Sequence, residues 1–388
     1  MSEPAPSAVE LLEKLVAFDT TSRNSNLELI QFATDYLAEN GVDAAVIHDD
    51  TKTKANLYAT LGPKRDGGIV LSGHTDVVPV DGQDWHTDPF ALVESNGRLF
   101  GRGTADMKGF CAAVLAMVPE FLSRTLKAPL HIAFSYDEEV GCVGVHGMIP
   151  CVVVPGVTPK AVIVGEPTNM RVVNAHKGVR AFRTTVTGLE THSSATHKGV
   201  NAVMVAAELI SFLSRVAEDE KATADPESRF DPPFTSVSVG PISGGTALNI
   251  IPRHCSFVWE YRPLPDAEEN EIFERFMQYA EDDVLPPLRQ ISNKVSVETA
   301  ALARVPPLIP EDDSSIETLI MALAGTNQTF TVSYGTEAGV FREAGIPAVV
   351  CGPGDIMQAH RPNEFITIEQ IEACTDFLRR VLDHVAES

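Results

Sequence analysis

Five side chains able to ligate a metal, His74, Asp106, Glu139, Glu166 and His360, lie far apart in this chain. Each sits at or just after a short β-branched run such as Ile69-Val70-Leu71 or Ala161-Val162-Ile163-Val164. The carboxyl ends of such strands are where an α/β fold collects its chemistry. The pattern therefore reads as one assembled site, built where an α/β sheet puts its chemistry. A set of two imidazoles and three carboxylates suits two divalent ions doing hydrolysis.

Length and charge narrow the field further. A chain of 388 residues exceeds the usual size of one core and points to two domains, and a hydrophobic fraction of 44% can fill both. Acidic residues outnumber basic ones 53 to 30, a formal charge of −23 that would repel phosphate backbones and anionic lipid headgroups. Neither nucleic acid nor membrane is expected as a partner. No apolar stretch approaches the roughly 20 residues that cross a bilayer. Met1-Ser2-Glu3-Pro4 lacks the basic-then-apolar layout of a signal peptide, so a cytoplasmic location is expected. The six cysteines, at 111, 142, 151, 255, 351 and 374, form no CxxC pair and no regular spacing, so most are expected to be ordinary buried thiols.

Helical and strand signals alternate in the first part. Apolar positions Val9, Leu11, Leu12, Leu15 and Val16 have helical spacing, and a second helix ends at Gly41. Strands are expected near 43–48, 56–61, 69–73, 130–135 and 161–165, with a helix from Met107 to Phe121 and a short one after Gly141. The fold class is α/β: a mixed, largely parallel sheet flanked by helices. Between 180 and 303 the rhythm changes to strand, helix, strand, strand, helix, strand (181–188, 200–216, 235–242, 252–262, 266–284, 295–302). That is a split βαβ, ferredoxin-like α+β unit able to fold by itself. The expected domains are thus 1–179 and 304–388 as one catalytic scaffold, with 180–303 inserted. The scaffold resumes with a helix from Ser314 to Ala324, where Ser314 and Glu317 have capping-box spacing, then strands at 329–333 and 347–351 and a helix after Thr367.

His74-Thr75-Asp76 closes a strand with an imidazole and sets a carboxylate two residues on, placed to fix the ring's tautomer; a surface or capping role has even standing. The loop Gly101-Arg102-Gly103-Thr104-Ala105-Asp106-Met107-Lys108-Gly109 delivers Asp106 to a helix start, where an N-cap is the plainer use. It lacks the order of a phosphate-binding loop. Asp137-Glu138-Glu139 would repel one another at a strand end unless cations or protons intervene, and Gly141 ends the run in a tight turn. One of these carboxylates can hold metal while its neighbour moves protons.

These motifs, in this order and spacing, resemble the dinuclear zinc amidohydrolases and exopeptidases, which include aminoacylases, succinyl-diaminopimelate desuccinylases, carboxypeptidase G and acetylornithine deacetylases. The likeness runs from about Leu11 to Leu382. It implies a zinc-exopeptidase-like scaffold holding two Zn²⁺, with Co²⁺ as an alternative. Asp106 would bridge both ions, His74 and Glu166 completing one and Glu139 and His360 the other. Glu138 would be the general base acting on a metal-bridging water, with Asp76 supporting catalysis. The inserted unit resembles the family's lid and dimerisation domain, which implies a homodimer. Within Gly188-Leu189-Glu190-Thr191-His192-Ser193-Ser194, His192 matches the histidine that steadies the oxyanion, although Thr191 replaces the usual glycine.

Within the family, Trp85-His86-Thr87-Asp88-Pro89-Phe90, His176-Lys177-Gly178, Tyr261-Arg262-Pro263-Leu264-Pro265 and Gly335-Thr336-Glu337-Ala338 are most similar to the acetylornithine deacetylase branch. That implies removal of the acetyl group from N2-acetylornithine, a step of arginine biosynthesis. Asn249 and Arg262 map onto substrate-contacting positions; a guanidinium suits a planar carboxylate, and a rim salt bridge is the plain alternative. Thr336 and Glu337 complete the expected substrate set, Glu337 facing the ammonium or else serving only as a helix N-terminal charge. Three other functions stand beside this one: a broader N-acyl-amino-acid deacylase or dipeptidase, a desuccinylase, and a non-catalytic dimeric binding protein. The last predicts a missing ligand or base, and none is missing. A serine hydrolase built on Ser193 or Ser194 lacks a GxSxG elbow.

Overall fold

The β-branched runs become the buried strands of one sheet. In this computed structural model, which describes residues 5–387, eight strands lie in the order Ala44–His48, Ala55–Leu61, Leu130–Ser135, Ile69–His74, Ala161–Pro167, Ala348–Gly352, Val173–His176 and Phe330–Val332. The central four are parallel to one another and buried along their whole length. Strands covered on both faces must be apolar on both, which is why these segments read as unbroken hydrophobic runs rather than as alternation. Antiparallel pairs flank that parallel centre, giving the expected mixed α/β sheet.

Helices supply the cover. Ala8–Val16 opens with a full capping box: the Glu10 N–H donates to Ser7 Oγ at 3.2 Å and the Ser7 N–H to Glu10 Oε2 at 2.7 Å. It buries Leu11, Leu12, Leu15 and Val16 against Gly109–Leu122, a helix apolar nearly all round because Ile368–Glu387 also packs on it. Only half of the Ser314 box forms. Ser314 Oγ accepts from the Glu317 N–H at 3.2 Å, but the Glu317 carboxylate takes Asn174 Nδ2 at 2.8 Å instead of returning to Ser314.

The chain divides into two compact units: Met1–Ala175 with Leu308–Thr331 and Thr336–Ser388, and His176–Pro307 with Val332–Gly335. The second holds a four-stranded antiparallel sheet in the order Ser236–Gly244, His254–Arg262, Val179–Thr187, Ser296–Val305. With helices Ala202–Ala222 and Glu271–Tyr279 this is the ferredoxin-like arrangement. Its core is aromatic, with Trp259 lying 4.7 Å from Phe182 and 4.6 Å from Phe276, centroid to centroid. The buried indole N–H finds Thr184 Oγ1 at 3.0 Å.

The sequence reading did not anticipate the strand Val173–His176, and three further features depart from it. A small sheet of Phe365–Thr367, Arg98–Phe100 and Val93–Ser95 was not anticipated, since strands of three residues carry no period. The helix expected from Met107 begins at Gly109, because Asp106 (φ −125°, ψ 92°) and Met107 are non-helical. The helix expected over 266–284 starts only at Glu271, because residues 266–270 turn and the Glu269 carbonyl accepts from Tyr261 Oη at 2.7 Å. Met1-Ser2-Glu3-Pro4 lies outside the described residues. No helix among the described residues is long and apolar enough to cross a membrane.

Candidate metal centre

Three strand ends at one edge of the central sheet set the centre. His74 is the last residue of its strand; Asp137-Glu138-Glu139 follow Leu130–Ser135; Glu166 ends the apolar run of Ala161–Pro167. Gly165 makes room for the helix behind: a Cβ there would stand 2.0 Å from the Phe110 ring. The turn after Ser135 is tight. Glu138 C=O accepts the N–H groups of Gly141 (2.9 Å) and Cys142 (2.8 Å), and Gly141 takes φ +115°.

The five separated groups converge within the first unit. His74 Nε2 is 3.0 Å from Asp106 Oδ1 and 3.7 Å from Glu166 Oε1. His360 Nε2 is 3.3 Å from Asp106 Oδ2 and 3.0 Å from Glu139 Oε2. Asp106 therefore presents one oxygen to each imidazole. His74, Asp106 and Glu139, and equally His74, Glu138 and Glu166, offer donor atoms that lie within 4.8 Å of one another. Asp106 caps no helix; its carboxylate is committed to the two histidines.

Asp76 does more than face a ring. His74 Nδ1 lies 3.0 Å from the Asp76 carbonyl and 3.6 Å from its carboxylate, so the main chain fixes the tautomer. The carboxylate accepts Ser22 Oγ (2.7 Å) and the N–H groups of Glu138 (3.1 Å) and Glu139 (3.3 Å), pinning the acidic turn. Lys54 ion-pairs with Asp137 on the far side of that turn. Neither Lys54 nor Ser22 was visible as a site residue in the sequence. Cys142, grouped there with the ordinary buried thiols, donates to Glu138 Oε1 at 3.3 Å.

Charge in this cluster is badly balanced. Burial would push the His74 imidazole down, but Asp106 and Asp76 hold it well above its ordinary value. The carboxylates of Asp106 and Glu139, accepting from its ring N–H, lift His360 to about 10. Burial alone would raise Asp106, yet the two histidines keep it well below the usual carboxylate range. Burial lifts Glu138 and Glu166 well above that range and Glu139 to about 7, with neighbouring carboxylates adding to the effect. A pocket so rich in carboxylate calls for cations. Its donors, imidazole nitrogen and carboxylate oxygen without thiolate, fit two zinc-like ions and would be held ionised by them.

The remaining expected site residues fall into two groups. In the first unit, Thr336 is the N-cap of Glu337–Glu343, its Oγ1 accepting from the Ala338 N–H at 3.1 Å. Glu337 is buried; its Oε2 accepts from Ser72 Oγ at 3.2 Å, and burial raises its carboxyl while the hydroxyls of Ser135 and Ser72 hold it down. His192, Asn249 and Arg262 belong to the second unit. There His192 bridges to Ile250, and the Asn249 carbonyl accepts from the Ser193 N–H at 3.1 Å. His192 Nδ1 accepts the Ser194 N–H at 3.2 Å and lies 2.8 Å from its Oγ, which leaves the ring proton on Nε2 in the neutral tautomer. Arg262 Nε pairs with Glu260 Oε1 at 3.1 Å, the plain use allowed for it.

Known proteins share sequence and fold with this chain. The family model of peptidase family M20/M25/M40 matches residues 70–384. An acetylornithine deacetylase of Myxococcus xanthus is 35% identical over 397 residues, covering 99% of each chain. One of Pasteurella multocida (strain Pm70) is 33% identical over 384 residues, covering 97% of each. Among solved structures, an M20 family metallo-carboxypeptidase, Sso-CP2 from Sulfolobus solfataricus, superposes with a TM-score of 0.77 over 100% of both chains at 17% identity. Human carnosine dipeptidase 1 gives 0.73 at 18% identity, covering 98% of this chain and 97% of its own. Those two likenesses show the fold. With its strand-end donors, its two imidazoles about one aspartate and its match over most of its length, the chain belongs to peptidase family M20/M25/M40.

Proposed function

We propose that this chain is a metal-dependent deacetylase that hydrolyses N2-acetylornithine to ornithine and acetate. The observation that carries the reading is Asp106, whose two oxygens face two different imidazoles, each backed by a glutamate. The near full-length similarity to proteins named acetylornithine deacetylase supports the choice of substrate.

His74 and Glu166 with Asp106 would hold one divalent ion, and Glu139 and His360 with Asp106 the other. Divalent ions held by these residues would supply Lewis-acid polarisation of an amide carbonyl and acidification of water. Glu138 takes a proton from the attacking water as its oxygen adds to the acetyl carbon, then passes that proton to the amine nitrogen as the C–N bond breaks. Cys142, a weak donor, steadies Glu138 without removing its basicity. His192 is the proposed Nε2–H donor to the tetrahedral oxyanion. Asn249 and Arg262 are proposed for the α-carboxylate, with Thr336 holding the start of the helix that carries Glu337. Glu337, a buried carboxylate, is proposed for the substrate's ammonium group.

We place the enzyme in the cytoplasm as a homodimer through the second unit. In that unit Met204, Ile242, Leu248 and Ile250 are large apolar side chains left exposed, Leu248 completely so, which supports a partner surface there. The test is an assay of acetylornithine against succinyl-diaminopimelate and a panel of neutral N-acyl amino acids, on metal-stripped and zinc-restored protein. Zinc-dependent turnover of acetylornithine alone is the expected result. Preference for the succinyl substrate, or equal turnover of neutral N-acyl amino acids, refutes the specificity. Activity in the stripped protein refutes the metal.

A further inference from the structure

Glu364 stands four residues after His360, and its side chain is sealed from solvent. Its Oε1 accepts the N–H groups of Ala105 at 2.9 Å and Asp106 at 3.1 Å. Its Oε2 accepts the Gly103 N–H at 3.0 Å and Arg102 Nη1 at 2.6 Å. One carboxylate thus takes three main-chain donors from the loop that presents Asp106. The regular helix starts only at Gly109, so these donors lie ahead of it and belong to no helical ladder. An acceptor inside the protein is what makes so irregular a segment affordable when buried.

The contacts then close on the other histidine ligand. Arg102, 1% exposed, lies 5.1 Å over the Trp85 ring and donates from Nη2 to Gln83 Oε1 at 2.6 Å. Gln83 Nε2 in turn donates to the His360 carbonyl at 2.9 Å. From Asp106 through Glu364, Arg102 and Gln83 to His360, a chain of hydrogen bonds joins two segments that are distant in sequence. It parallels Asp76, which joins His74 to the Glu138-Glu139 turn.

We infer that Glu364, with Arg102 and Gln83, is a positioning residue: it fixes Asp106 and His360 relative to one another and so sets how tightly the centre takes divalent ions. The inference rests on the two-ion reading above and assigns the affinity to groups that touch no ion. Residues behind metal ligands typically carry about 10- to 100-fold in affinity. A purely structural Glu364 would lower stability and leave the affinity of the folded protein unchanged.

The experiment strips the full-length protein of metal and titrates Zn²⁺ against a competing chelator for wild type, Glu364→Gln, Gln83→Ala and Asp106→Asn, with urea midpoints measured alongside. In Glu364→Gln the new amide N–H₂ faces main-chain donors, and zinc affinity is expected to fall about 10- to 100-fold. Gln83→Ala should show a smaller loss in the same direction at an unchanged urea midpoint. Wild-type affinity in a folded Glu364→Gln overturns the inference. Where that variant does not fold, Gln83→Ala decides alone, and unchanged affinity overturns it. If wild type takes up no pair of zinc ions, or Asp106→Asn binds them equally well, the two-ion reading itself falls and the inference with it.

Discussion

His131 offers a quantitative test of the fold away from the chemistry. It is 2% exposed, and its Nδ1 lies 2.9 Å from both Tyr58 Oη and Thr60 Oγ1. The ring stacks on Tyr58 at 5.6 Å. Burial pushes the imidazole from 6.5 down to about 4. In the unfolded chain it titrates near its ordinary value, so between these limits the unfolded state binds the extra proton. Stability from this group is therefore complete above pH 6.5 and is lost as pH falls toward 4. With folded and unfolded values of about 4 and 6.5, the loss is about 2 kcal/mol at pH 5 and about 3 kcal/mol at pH 4. His131→Phe removes the titration and keeps the stacking. Urea unfolding at pH 7.5 should find the variant less stable than wild type, since the buried hydroxyls of Tyr58 and Thr60 lose their ring-nitrogen partner. At pH 5 the gap should have narrowed by about 2 kcal/mol. An equal gap at both values would show that His131 is not held neutral by burial.

Other expectations concern the site and its frame. Glu138→Gln should keep its zinc content, measured by atomic absorption, while kcat falls about 10²- to 10⁴-fold through loss of the base. Glu337→Gln should lower kcat/KM for acetylornithine more than for neutral N-acetyl amino acids; an unchanged ratio removes Glu337 from the substrate's ammonium. Gly165→Ala drives a methyl group to 2.0 Å from the Phe110 ring. It should lower the urea midpoint by an overpacking cost of about 1–3 kcal/mol or more, and Phe110→Ala in the same chain should recover part of the loss.

The parts of this molecule that were legible in the sequence were those written in unbroken apolar runs. Ile69–His74, Leu130–Ser135 and Ala161–Pro167 announce themselves, and so do the polar groups that end them. The ferredoxin-like unit could be seen because its elements are long enough to carry a period. The small sheet through Phe365–Thr367 was too short to carry one. Lys54, Cys142 and Glu364 were invisible for another reason: a buried charge or thiol looks like any other until its partners are placed, and those partners lie up to 262 residues away. Thr336 shows the converse, since a motif position gave no warning of a helix cap, and for Arg262 the motif left open a salt bridge without naming Glu260 as its partner.

The span from His74 to His360 has a consequence for how the protein matures. During synthesis the chain possesses four of its five candidate donors while its last hundred residues, among them one imidazole, are still to come. By the assignment above, the donors of one ion, His74, Asp106 and Glu166, would all be present by then. The other ion would wait for the segment that brings His360 to Glu139, and with it Glu364 to the Asp106 loop, so the two halves of the centre would be completed in turn.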